Sequence, residues 1–184
     1  MNRFSLLLIV ILFSCKSSFV KKNEYQNDNC KLISKDFGVD ENTFKYFKNE
    51  LSSFLKENRN LDILKIFYSG GNKKSHKLIR WSIDNDKKMT TLEIEGENSR
   101  TFTTSDYGLS EFEKKVFTIE NKRIMQICPY DISNDTYVLL IKSKGIYKFK
   151  YISNSSNYSS LNNIEKKKIL GVIDLINYLE KMNK

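Results

Sequence analysis

Between Asp62 and Ile152 the chain carries short runs in which every second residue is hydrophobic, and clusters of turn-forming residues separate these runs. This alternation is typical of β-strands with one buried face, because side chains on a strand point alternately to the two sides of the sheet. In the run from Lys77 to Ile83, for example, Ile79, Trp81 and Ile83 share one side. The predicted strands span residues 62–68, 77–83, 89–95, 100–104, 123–128, 136–141 and 146–152.

Helical periodicity appears on both sides of this region. A first helix is predicted from about Glu41 to Lys56, with Asp40 as its N-cap and an apolar stripe made of Phe44, Phe47, Leu51, Phe54 and Leu55. A second helix follows Asn162 and Glu165, which have the spacing of a capping box, and its stripe contains Ile169, Val172, Ile173, Ile176 and Leu179.

Short turns between strands favour antiparallel pairing, and helices at both ends of the domain favour packing on a single sheet. The predicted fold class is therefore α+β. We expect an antiparallel sheet of five to seven strands packed against an N-terminal and a C-terminal helix, with both helices on the same face.

The first sixteen residues have the composition of an export signal. Arg3 supplies a positive charge, and the apolar run from Phe4 to Phe13 ends at Ser14-Cys15-Lys16. This run fits the apolar core of a secretory signal, and it is too short to span a bilayer, which takes about 20 residues.

Leu12-Phe13-Ser14-Cys15 resembles the lipobox of bacterial lipoproteins, in which Leu stands three positions before an invariant Cys. The resemblance implies that residues 1–14 are a signal peptide that is removed, that the Cys15 thiol carries a diacylglyceryl group, and that the new amine of Cys15 is acylated with a fatty acid such as palmitate. Two or three acyl chains hold a domain at a membrane far more firmly than one chain does.

Three segments follow from this resemblance and from the composition: the signal peptide 1–14, the lipidated Cys15 with a polar tether over 15–36, and a single α+β domain over 37–184. In a Gram-negative host, Lys16-Ser17 resembles the default signal for sorting to the outer membrane, and no acidic cluster of the kind that marks surface export follows Cys15. We expect an outer-membrane lipoprotein facing the periplasm. The outer face of the plasma membrane and the cell surface are the alternatives.

The net charge of +9 would suggest nucleic-acid binding in a cytoplasmic protein. Here the lysines are dispersed among 22 acidic residues, and an exported protein meets little nucleic acid. The charge fits mild attraction to anionic lipid better, so the membrane is an expected partner and nucleic acid is not.

Cys30 and Cys128 remain as a pair once Cys15 is lipidated. The envelope permits disulfides, and a bridge between these residues would close a long loop and stabilise the fold by roughly 4–5 kcal/mol. Two separate thiols are the alternative, and the sequence leaves both open.

No pattern of residues predicts catalysis, a metal site or a cofactor. His76 is the sole histidine and stands beside a lysine-rich turn, where we expect it to be exposed and without an orienting partner. Ser53 and Lys56 match the Ser-x-x-Lys spacing of penicillin-recognising enzymes, but the companion motifs are missing. Asp84-Asn85-Asp86 begins like a calcium loop and continues with lysines, so a turn is the better interpretation.

Four aromatic side chains are the candidate binding face: Trp81, Tyr147, Phe149 and Tyr151. The last three are predicted to share one side of a strand, either as a platform for a partner or as part of the core. These features favour a non-catalytic recognition domain for an envelope protein or a peptidoglycan-derived partner, as in immunity or inhibitor lipoproteins.

Two other functions remain open. One is an envelope hydrolase whose site is assembled from distant residues such as His76, Ser53, Asp62 and Asp106. The other is a lipoprotein that holds a small ligand in an apolar cavity lined by Trp81, Phe149 and Phe47.

Overall fold

A single eight-stranded sheet organises the residues that the computed structural model describes, namely 30–39, 44–69, 75–84, 88–104, 114–116, 119, 121–128, 135–154 and 161–182. The protein is of the mixed α+β type. Its strands are β1 (Lys31–Ser34), β2 (Leu61–Tyr68), β3 (Lys77–Ile83), β4 (Met89–Glu95), β5 (Asn98–Thr104), β6 (Lys122–Ile127), β7 (Thr136–Ser143) and β8 (Ile146–Ser153).

The strand order is β1-β6-β8-β7-β2-β3-β4-β5. All neighbours pair antiparallel except β6 and β8, which are parallel because β8 folds back from its hairpin with β7 and inserts beside β6. Lys144 and Gly145 turn this hairpin with φ angles of 50° and 76°, the left-handed conformations of a type I′ turn. The expected purely antiparallel sheet of five to seven strands is therefore too small and misses one parallel pair.

The described helical segments with defined bounds are a 3-10 turn (Lys45–Phe47), α1 (Lys48–Lys56), α2 (Asn163–Lys167) and α3 (Leu170–Met182). The predicted N-cap Asp40 lies outside the described residues. Asn162 caps α2, since its Oδ1 accepts hydrogen bonds of 2.9 Å from the backbone N–H groups of Ile164 and Glu165. Within the described ranges, no helix combines the length and the apolar character that crossing a bilayer takes.

The sheet is buried on both faces near its centre. In β2, Leu61 and Ile63 pack in one apolar cluster with α3, whereas Leu64 and Ile66 pack in a second cluster with α1. We call the two sides the α3 face and the α1 face. The expectation that both helices cover one face is wrong, because central strands such as β2 are apolar at both sets of alternating positions.

A β-bulge separates the aromatic residues of β8. Ile141 pairs with Phe149 but Lys142 pairs with Tyr147, so Lys148 is the extra residue. The bulge turns Tyr147 to the α1 face and leaves Phe149 and Tyr151 on the α3 face. The prediction that these three rings share one side is therefore wrong.

The folded part of the chain begins earlier than predicted. Lys31 pairs with Ile127, which places Cys30 opposite Cys128, and the two cysteines form a disulfide. Residues 30–36 therefore do not belong to a tether, as the boundary at 36 assumed, because β1 and the disulfide fix them to the sheet. Cys15 and the predicted signal peptide lie outside the described residues.

Candidate functional site

A buried ion pair lies on the α1 face, where the end of α1 meets β2 and β3. The Asp62 carboxylate accepts hydrogen bonds from Arg80 Nε at 2.9 Å and from Arg80 Nη2 at 2.7 Å. Arg80 also donates to Glu57 at 2.8 Å and to the Ser53 hydroxyl at 2.7 Å. This guanidinium therefore joins both carboxylates and the hydroxyl of the group.

The charges in this group stabilise each other. Burial opposes ionisation of Glu57, but hydrogen bonds from Ser53 and Arg59 and the charge of Arg80 outweigh it and lower the pKa of Glu57 to about 2. Burial raises the pKa of Asp62, while the pKa of Arg80 rises because Asp62 outweighs the cost of its own burial. Arg80 therefore stays charged in this group.

Among the described residues, the proton acceptor that contacts the Ser53 hydroxyl is the Glu57 carboxylate, and its pKa of about 2 makes it a weak base. The Ser53 hydroxyl donates to Glu57 at 2.5 Å and accepts from Arg80, while the Lys56 side chain is exposed. Lys142, the buried amine nearby, donates instead to the carbonyl oxygens of Phe54 at 2.8 Å and Glu57 at 3.0 Å. Burial lowers the pKa of Lys142, but its protons are used to cap α1.

His76 is buried, and the expectation that it is exposed is wrong. Its Nδ1 accepts a hydrogen bond of 3.0 Å from the Ser69 N–H, and its ring stacks on Tyr68 with centroids 4.1 Å apart. Asp62 stands six residues before Tyr68 on β2, a span of roughly 20 Å at the usual rise of a strand.

Of the residues proposed for a hydrolase, Ser53 and Asp62 meet at Arg80, but His76 does not join them. His76 lies at the far end of β2 from Asp62 and Ser53, and Asp106 lies outside the described residues. Among the described residues, no group of three or more His, Cys, Asp or Glu side chains is placed to hold a metal ion.

The apolar cavity expected for a small ligand is also contradicted. Trp81 and Phe149 are each 1% exposed in the cluster on the α3 face, whereas Phe47 is buried on the α1 face, so the sheet separates them. Trp81, Phe149 and Tyr151 are core residues, and the candidate binding face that included them is not a surface.

A polar cleft of about 310 Å³ opens beside the buried ion pair. Arg59, in its wall, donates to Glu57 at 2.5 Å, to Ser82 at 2.9 Å and to Asp84 at 3.0 Å. Asn60 donates to the Asp84 carbonyl oxygen. Glu57, Arg59, Asn60 and Asp84 line the cleft and are hydrogen-bonded to one another. These contacts give the groups in its wall a structural role.

The edge strand β5 has a different character. It pairs with β4 over seven residues without a bulge and has no described partner on its other side. Glu95 pairs with Asn98 across a two-residue turn, so the backbone groups of alternate residues starting at Asn98 bond to β4. The N–H and C=O groups of Ser99, Thr101 and Thr103 consequently point away from the sheet, and all three residues are exposed.

The opposite edge is protected. β1 has only four residues, and the Leu32 N–H, on its outer side, donates to the Glu165 carboxylate of α2 at 3.1 Å. Glu165 thus covers the edge of β1 instead of completing the predicted capping box. Long, unprotected edges are templates for an added strand, so β5 is the candidate functional site.

Sequence reasoning missed this site because the order of strands in a sheet is set by pairings between distant residues. The polar composition of Asn98–Thr104 was the available signal, since Phe102 is its single large apolar residue. Comparisons of the chain with protein-family models, curated proteins and solved structures each found no match.

Proposed function

We propose that this protein is a membrane-anchored envelope lipoprotein whose domain recognises an extended segment of a partner protein at the free edge of β5, without catalysis. The observation that supports this function is the exposed row of backbone donors and acceptors at Ser99, Thr101 and Thr103. A segment that adds to an edge gains affinity from main-chain hydrogen bonds and specificity from alternate side chains.

The side chains of β5 indicate which segments fit. Threonine at the centre of the strand favours β-branched or small residues opposite it, since such side chains pair well across strands. The Arg100 guanidinium is 71% exposed although it pairs with Glu93, so it adds a positive charge along the row. A protein segment suits this edge better than a peptidoglycan fragment because each of its residues supplies a backbone donor and acceptor.

The lipid anchor is the second part of the proposal. Cys15 would carry the acyl chains, residues 16–29 would connect it to Cys30, and the domain would face the periplasm from the outer membrane. A protein that captures a partner segment in this position would act as an immunity or inhibitor lipoprotein does.

Proline at position 101 tests the edge. The Thr101 N–H points away from β4, so Thr101→Pro removes an outward donor while leaving the β4–β5 hydrogen bonds in place. We expect a partner captured from envelope extracts of the native host by the full chain to bind Thr101→Pro roughly tenfold more weakly or worse.

Thr101→Val is the matched control, because it keeps the N–H and the β-branched shape. It should retain the partner, and circular dichroism should show that both variants are folded. Equal capture by wild type and Thr101→Pro would contradict recognition at this edge.

The anchor is tested separately by mass spectrometry of the protein from its native host. We expect a mature N-terminus at Cys15 that carries lipid mass, and loss of that mass in Cys15→Ser. An intact leader on the wild-type protein would contradict the lipoprotein assignment.

A further inference from the structure

The edge of the sheet opposite to β5 combines exposed aliphatic side chains with lysines. Ile33 of β1 and Ile127 of β6 are 37% and 42% exposed, and Ile164 of α2 is 72% exposed. Lys31 pairs with Ile127 across β1 and β6, so an exposed amine stands beside an exposed aliphatic side chain. Single exposed aliphatic residues are ordinary, but several around one edge with cations between them have the composition of a docking surface.

Contacts of Glu165 fix α2 next to this edge. The Glu165 carboxylate accepts hydrogen bonds from Lys168 Nζ at 2.6 Å and from the Leu32 N–H of β1. Several contacts lower the pKa of Glu165. The hydrogen bond from Lys168 has the largest effect, and the hydrogen bond from Leu32 and the charges of Lys168 and Lys31 have smaller ones. Two ammonium groups, from Lys168 at the C-terminal end of α2 and Lys31 of β1, therefore act on this one carboxylate.

We propose that this edge lies against the anionic headgroups of the bilayer to which the protein is anchored, through a surface made of Lys31, Ile33, Lys35, Ile127, Ile164 and Lys168. We call it the anchor-edge surface. The inference rests on the proposed lipid anchor at Cys15, which identifies the bilayer as the nearest partner of this edge.

The disulfide determines where the anchored segment enters the folded domain. Cys30 directly precedes β1 and is bonded to Cys128 after β6, so the entry point cannot move away from this edge. The segment 15–29 spans at most about 50 Å when fully extended. The anchor-edge surface is therefore the side of the domain at which the anchored segment enters.

The chemistry of this surface suits an anionic interface. Lysines attract anionic headgroups, and exposed aliphatic side chains between them enter the boundary of the acyl chains. β1 and β5 are the two ends of an eight-stranded sheet, about 34 Å apart at the usual strand spacing. Contact with the bilayer at β1 would thus leave β5 open to a partner.

Binding to vesicles tests the inference with the full chain carrying Cys15→Ser, so that no lipid contributes. Vesicles of phosphatidylcholine alone report the contribution of the apolar leader, and vesicles that also contain phosphatidylglycerol report the charge-dependent part. We expect Lys31→Gln/Lys35→Gln/Lys168→Gln to weaken binding to the anionic vesicles on the order of 100-fold, at about fivefold for each lysine.

Lys45→Gln/Lys48→Gln/Lys56→Gln is the matched control, since it removes the same charge from exposed positions in and next to α1. It should weaken binding far less than the first triple variant. Ile33→Ser/Ile127→Ser should also weaken binding, and it should do so even in high salt, which screens the lysines.

Equal losses in the two triple variants would overturn the inference, because net charge alone would then explain binding. So would binding that does not depend on anionic lipid. If mass spectrometry finds lipid on Cys15 but the two triple variants behave alike, the inference fails and the lipoprotein assignment stands. If Cys15 carries no lipid but the lysine dependence is specific, the surface stands and the anchor fails.

Discussion

Arg80 joins three other side chains in the polar network on the α1 face. Its guanidinium binds the fully buried Asp62 through two nitrogens and reaches Glu57 and Ser53 as well. An ion pair of this kind adds little net stability over a well-packed apolar pair, but breaking it leaves a buried charge without its partner. Arg80 is therefore a residue on which the native arrangement of α1, β2 and β3 depends.

We predict that Arg80→Met lowers the free energy of unfolding by about 3–5 kcal/mol, because the Asp62 carboxylate loses its guanidinium. Lys77→Met is the control, since Lys77 also pairs with a glutamate but neither side chain is buried, and it should cost at most about 1 kcal/mol. Urea unfolding measures both. Asp62→Leu/Arg80→Met should be more stable than Arg80→Met alone, and equal costs in the two single variants would contradict the role assigned to the buried pair.

Glu57 makes the free energy of unfolding depend on pH, and its lowered pKa sets the direction of that dependence. The pKa of Glu57 in the folded state is about 2, below the ordinary value of 4.5, so its contribution to stability is complete above pH 4.5 and is lost as the pH falls towards 2. We predict that the difference in unfolding free energy between wild type and Glu57→Gln shrinks over this interval. A difference that stays constant between these pH values would show that the Glu57 carboxylate is not held ionised by its neighbours.

At the scale of elements, α1 is attached to the sheet through its C-terminal end. Lys142 of β7 extends to the last turn of the helix and donates to the carbonyl oxygens of Phe54 and Glu57. These carbonyl groups have no partner within the helix, and the negative end of the helix dipole favours a cation there. Lys142 thus adds a polar attachment to the apolar packing of α1 on the central strands.

We predict that Lys142→Met costs about 2 kcal/mol, because it keeps the aliphatic stem but leaves the carbonyl oxygens of α1 without their charged donor. Hydrogen exchange should accelerate at the amides of α1 more than in β2 or β7. Lys148→Met in β8 is the control and should change stability by less than about 0.5 kcal/mol. Uniform acceleration across the sheet and α1 would instead indicate general destabilisation.

At the scale of the whole molecule, the disulfide joins the start of β1 to the end of β6. These two strands form the shortest pair in the sheet. Cys30 and Cys128 are 98 residues apart in sequence, and all of β2 to β6 lies between them. Without the bridge, β1 would depend on four backbone pairs with β6 and on the contact of Leu32 with Glu165. The bridge thus extends the sheet by a strand that is too short to be stable alone.

We predict that Cys30→Ser/Cys128→Ser lowers the free energy of unfolding by up to about 4–5 kcal/mol in the chain-entropy description, and that amides of β1 lose protection first. Cys15→Ser is the control, since it removes a cysteine that takes no part in the bridge. Chemical unfolding with and without a reductant measures the effect. Equal stability under both conditions would contradict a structural role for the bridge.

Local patterns predicted much of the fold. The predicted and observed bounds agree for runs such as Lys77–Ile83 and Met89–Glu95. Alternating side chains define such a strand, and the turn residues at each end mark where it begins and ends. Asn162 similarly caps α2 as its side chain implies. The lipobox resemblance at Cys15 is a local feature too, and it remains a prediction that the proposed mass spectrometry tests.

Only the tertiary structure decided the features that depend on distant residues. Alternation does not show which strands are neighbours. Pairings across the whole chain determine the parallel pair of β6 and β8, the short β1, the two covered faces and the exposed edge of β5. The bulge that turns Tyr147 away from Phe149 depends on the partner strand β7, and the burial of His76 depends on Tyr68 and on the 3-10 turn next to α1. The physical reason is that side-chain periodicity is a property of one segment, whereas strand order, burial and edge exposure are properties of the contacts between segments.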